Sequence, residues 1–109
     1  MSNVVDMGSL FTSSFFNQDI SSWDVSSVKT MSYMFADTSF DQPLNDWDVS
    51  KVKSMFRMFA SSYFNQDISD WDVSAVRDFS YMFYNSDFDQ DVSNWNIAST
   101  ANVKQMFHD

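Results

Sequence analysis

The sequence predicts a repeat solenoid, with a parallel strand ladder along one side and short helical turns along the other. Three observations point to it. Phe16, Phe40, Phe64 and Phe88 recur at intervals of 24 residues, Trp23, Trp47, Trp71 and Trp95 keep the same interval, and Phe35, Phe59, Phe83 and Phe107 close each copy. Periods of 20–50 residues are the signature of stacked supersecondary units. With 44% hydrophobic and 18% aromatic residues, the 109-residue chain has ample material for one core.

Taken in order, residues 1–15 form a half repeat, because Val4, Met7, Leu10 and Phe11 lie one period before Val28, Met31, Met34 and Phe35. Full repeats follow over 16–39, 40–63 and 64–87, and the last runs over 88–109, so that one domain spans 1–109. Within a repeat, Ile20, Trp23, Val25 and Val28 have the apolar spacing L-x-x-L-x-L, which predicts a short strand near Trp23 to Val25. Strands of successive copies would lie side by side at ~4.8 Å. Val28, Met31, Met34 and Phe35 then show the spacing of one helix face, with Ser26 placed to cap it. Val52, Met55, Met58, Phe59 and Val76, Phe79, Met82, Phe83 repeat that face, while Thr100, Val103, Met106 and Phe107 weaken it. Stretches such as Asp37-Thr38-Ser39 and Asn85-Ser86-Asp87 supply turn residues between copies.

Charge narrows the function. The net charge is −9, and all fifteen acids are Asp, a residue suited to turns and caps rather than long helices. Nucleic acid is excluded as a partner, since phosphate neutralisation needs clustered Lys and Arg. No Cys is present for a disulfide or thiolate site. No stretch is long and apolar enough to span a bilayer, and the opening MSNVVDMGSLF carries no signal-peptide pattern.

The string Phe64-Asn65-Gln66-Asp67-Ile68-Ser69-Asp70-Trp71-Asp72-Val73-Ser74, echoed from Phe16 and from Phe40, resembles the BspA-like leucine-rich repeat of bacterial surface proteins and lipoproteins. The resemblance covers nearly the whole chain. Pro43-Leu44 and Asn96-Ile97-Ala98 depart from it. It implies a right-handed leucine-rich-repeat-like solenoid displayed at the cell surface or outside the cell, engaged in adhesion or partner recognition.

No enzyme is expected, because the only His is His108 and there is no cysteine nucleophile. Repetition of Asp at one place in several copies also marks structure, since a catalytic site usually occurs once. No cofactor is implied. The four Trp could form a stacking platform for sugar rings, but their place in the strand skeleton points inward, so core packing is the reading adopted. Gln18, Gln42, Gln66 and Gln90, beside Asn17, Asp41, Asn65 and Asp89, read as amide ladders that satisfy backbone groups. Asp24, Asp48 and Asp72 alternate with inward residues and should face outward, near Asp46 and Asp70. Water, the hydroxyls of Ser26, Ser50 and Ser74, and the basic row Lys29, Lys53 and Arg77 are the first candidates to offset their repulsion. Calcium ranks below these, because Asp-rich calcium repeats are rich in glycine and this chain has one.

Two functions emerge. The first is non-enzymatic recognition of a protein partner through the acidic face Asp24, Asp46, Asp48, Asp70 and Asp72. The alternative is a building block that self-associates through uncapped end coils, Val4, Met7, Leu10 and Phe11 at one end and Val103, Met106 and Phe107 at the other.

Overall fold

Side-chain oxygens set the corners of this chain. In the computed structural model, which describes residues 5–107, each copy of the repeat bends where a short polar side chain accepts the backbone N–H two residues ahead. Ser14, Thr38, Ser62 and Ser86 take the N–H of Phe16, Phe40, Phe64 and Phe88 at 2.8–3.0 Å. Asp19, Asp67 and Asp91 take those of Ser21, Ser69 and Ser93, each at 2.9 Å. Asp24, Asp48 and Asp72 hold the N–H of Ser26, Ser50 and Ser74 at 3.0, 3.0 and 3.1 Å. Asp6, Asp78 and Asn102 hold those of Gly8, Ser80 and Lys104 at 2.8–3.0 Å. These short reaches favour Asp at the corners, since Glu carries an extra methylene and closes such turns poorly.

Between corners the backbone makes β-turns. Trp47 N–H donates to Leu44 O, Val52 to Val49 O and Met58 to Met55 O, at 3.0, 3.0 and 3.1 Å, and the other copies repeat these bonds. Successive coils are joined where Met31, Tyr33, Phe35 and Asp37 donate to the carbonyls of Ser54, Phe56, Met58 and Ala60 at 2.8–3.0 Å. Parallel contact of strand type is limited to single-residue bridges, Asp6–Thr30–Ser54–Asp78–Asn102.

The expected fold class is therefore corrected. The described residues contain no helix and no sheet, and they form a compact globule of stacked turns, not a right-handed leucine-rich-repeat-like solenoid with a strand ladder and helical turns. Its radius of gyration is 12.4 Å, against roughly 13 Å for a compact domain of this length. The physical reason lies in the spacing. Ile20 and Trp23, Val25 and Val28, and Met31 and Met34 are the first and last residues of β-turns, and turn ends come close enough for both side chains to enter the core. An i, i+3 apolar pair is thus shared by helix and turn. Left-handed residues exclude the helix, because Ser9, Tyr33, Arg57, Tyr81 and Gln105 have φ between 51° and 62° in the middle of the expected helical stretch. Ser26 accordingly caps no helix; it lies within the turn from Val25 to Val28. The strand at Trp23 to Val25 is cut short by turns on both sides.

The core is a pair of aromatic files. Phe11, Phe35, Phe59, Phe83 and Phe107 stack at 5.2–5.7 Å between ring centres, and Phe16, Phe40, Phe64 and Phe88 stack alongside at 6.0–6.2 Å. Rings of the two files meet at 4.1–4.4 Å within each coil. Buried Met31, Met34, Met55, Met58 and Met82 fill the space beside them.

Candidate functional site

Where regular strand pairing is missing, side chains join the coils. Asn17 Oδ1 accepts the Asp41 N–H at 2.9 Å, Asp41 Oδ1 accepts that of Asn65 at 2.9 Å, and Asn65 Oδ1 accepts that of Asp89 at 2.8 Å. Gln42, Gln66 and Gln90 add Nε2–H bonds to the same acceptors at 3.1–3.2 Å. This is the amide ladder that the Gln row suggested, and it is structural. The indoles do similar work from inside. Trp47, Trp71 and Trp95 are buried and donate Nε1–H to Ile20 O, Leu44 O and Ile68 O at 3.1, 2.8 and 3.0 Å. Trp23 packs half-buried against the core. Trp47, Trp71 and Trp95 thus form an inner seam rather than an exposed stacking platform.

Asp24, Asp46, Asp48, Asp70 and Asp72 all lie exposed. Asp24, Asp48 and Asp72 each receive two bonds on one oxygen, the second from the Ser26, Ser50 or Ser74 hydroxyl at 2.6, 2.6 and 2.7 Å. The hydroxyl bond first, then the backbone N–H, holds all three carboxyls below the usual carboxylate range. For Asp48 the attraction of Lys51 and the repulsion of Asp72 are the smallest causes, and none of Lys29, Lys53 and Arg77 is among the causes for the three carboxyls, so the serines chiefly hold this file. Arg77 turns back instead, donating to Ser74 O at 3.2 Å. Asp70 is tied to Asn45, whose Nδ2 donates to its carboxylate at 3.0 Å. Asp24, Asp48 and Asp72 thus form an exposed row of carboxylates, each fixed by its serine.

The end coils divide. Met7 and Met106 are buried, and Phe11 is half-buried against the core, so these three offer little to a second chain. Leu10, Val103 and Phe107 are 45–53% exposed. Val4 and His108 lie outside the described residues. No group of three or more His, Cys, Asp or Glu placed to hold a metal occurs among the described residues, and no described helix is long and apolar enough to cross a membrane.

Arg57 escaped the sequence reading. Arg57 sits between Tyr81 and Phe56, its guanidinium carbon 4.6 Å and 5.5 Å from their ring centres, and its buried Nε has no hydrogen-bond partner among the described residues. The available signal was its place in the column of Ser9, Tyr33, Tyr81 and Gln105, where only Arg57 is charged.

The family described as Mycoplasma protein of unknown function, DUF285, matches residues 1–86 and, in a second overlapping alignment, residues 37–109. No curated protein and no solved structure matches the chain.

Proposed function

The chain belongs to the DUF285 family, and from that premise we propose a non-enzymatic recognition module, extracellular or on a cell surface, that binds a basic protein partner. The finer likeness to BspA-like repeats supports the surface setting. One observation carries the reading: Asp24, Asp48 and Asp72 are fixed by their serines in an ionised, outward-facing file on a chain of net charge −9. Preset carboxylates lose little freedom on meeting a cationic surface, and complementary charge raises the association rate. The test is titration with a lysine-rich peptide at low and high salt. Asp48→Ser with Asp72→Ser should weaken binding and reduce its salt dependence; binding unchanged at both salt concentrations would eliminate this face.

A second reading is association of this 109-residue chain through its ends. It is favoured by exposed Leu10, Val103 and Phe107 and by the direction of the inter-coil bonds. Met7, Ser9 and Phe11 donate to the coil that follows, so alternate N–H groups of the last described coil face outward, as do carbonyls of the first. Light scattering over a concentration series decides it: mass growing with concentration supports stacking, and a constant 12.7 kDa eliminates it.

A further inference from the structure

The aromatic platform absent from the Trp file is present elsewhere. Phe15 is 95% exposed and Tyr63 is 64% exposed; neither belongs to the buried core, and neither ring has an aromatic neighbour among the described residues. They occupy the same place in the repeat two copies apart, with Ser39 between them and Asp87 beyond. At ~4.8 Å per coil step the backbones that carry them lie roughly 10 Å apart along the stack. Both line one open groove of about 390 Å³, within the ~300–1,000 Å³ usual for small-ligand clefts.

The rest of the groove is polar and largely uncommitted. Ser14, Thr38 and Ser62 are occupied as corner acceptors. The side chains of Ser39, Ser61, Asn85 and Asp87, by contrast, have no hydrogen-bond partner among the described residues. Ser61 and Asn85 are also left-handed, with φ of 54°, which sets their side chains on a fixed corner. Two solvent-exposed rings for the apolar face of a flat ring, with hydroxyl, amide and carboxylate groups between them, form the donor and acceptor set that suits a sugar. Asp37 and Asp87 in the lining disfavour an anionic one.

We propose that the groove between Phe15 and Tyr63 binds a linear neutral oligosaccharide, one pyranose stacking on each ring and the intervening hydroxyls meeting Ser39, Ser61, Asn85 and Asp87. The site is separate from the acidic file and stands whether or not that file binds a protein.

The experiment is NMR titration of the full chain with the hexasaccharides of β-1,4-glucose, β-1,4-N-acetylglucosamine and α-1,4-glucose, and with hexagalacturonate as the anionic comparison. Saturable binding of at least one neutral hexamer is expected, with shifts confined to the groove. Phe15→Ala or Tyr63→Ala should weaken it by about fivefold or more, in line with the stacking contribution of one ring. Because both side chains are exposed, the variants should keep the wild-type circular dichroism, and Asp48→Ser with Asp72→Ser should bind as wild type does. The proposal is overturned by no saturable binding of any neutral hexamer, by affinity unchanged in both ring variants, or by tighter binding of hexagalacturonate.

Discussion

Replacing Ser9 and Gln105 by Gly or by Ala separates the turn architecture from a helical one by the sign of a free-energy difference. Both residues lie where the apolar spacing predicts helix, both are exposed, and both have left-handed backbones, with φ of 61° and 51°. In a helix, Ala exceeds Gly by about 1 kcal/mol. In the left-handed region an L-residue is penalised by about 1–2 kcal/mol that Gly escapes. Against this stands the greater backbone entropy that Gly loses on folding, about 0.5–1 kcal/mol relative to Ala. Taking the midpoints of these ranges, the net advantage of Gly over Ala is about 0.75 kcal/mol at each site, and the two sites lie in opposite end coils, so their effects should add. Urea unfolding followed by emission of the buried tryptophans reads it directly. With a slope of about 2 kcal/mol/M, the double Gly variant should unfold ~0.5–1 M later in urea than the double Ala variant. A midpoint equal to or below that of the Ala variant would refute the left-handed assignment and restore a helical reading of these stretches.

Two further outcomes test the joints between coils and corners. Trp71→Phe keeps a ring in the core but removes the Nε1–H bond to Leu44 O, so it should lower stability by about 1–3 kcal/mol, while Trp23→Phe, half-buried and without such a bond, should cost less than half as much. Equal losses at the two sites would show that the indole seam contributes only bulk. For acid, the folded pKa values of Asp24, Asp48 and Asp72 lie below the unfolded value, so their stabilisation is complete above about pH 4 and is lost as pH falls through the folded values. Urea midpoints between pH 7 and 2.5 should fall below about pH 4, and less steeply when all three are changed to Asn; parallel curves would remove the serine-held carboxylates as the cause.

How much was legible depended on whether a signal had one structural meaning. The inward Trp and the Gln row were legible, because residues that recur at fixed spacing line up from coil to coil when coils stack, and each Gln amide then meets the Asn or Asp oxygen of the preceding coil. The outward Asp file and its serines were legible for the same reason. Met31 and Met34 misled because an apolar pair three residues apart satisfies a helix face and the two ends of a β-turn equally well. Met7 and Met106 misled because sequence marks a residue as terminal without showing whether its own coil covers it. Phe15 was passed over because its column holds Ser39, Tyr63 and Asp87, a mixture with no periodic signal.

By itself the sequence determined the period, the aromatic and methionine interior, the acidic surface and the use of short side-chain oxygens at bends. These follow from local chemistry, namely which residues leave water and which can reach an N–H two residues away. The tertiary structure alone decided the backbone between those bends. Tyr33, Arg57 and Tyr81 accept a left-handed backbone because their N–H groups then point at the next coil and bond to Phe56, Ser80 and Lys104 O at 3.0–3.1 Å. No local preference favours that conformation in Tyr or Arg, and it is stable only once a neighbouring coil supplies the acceptor.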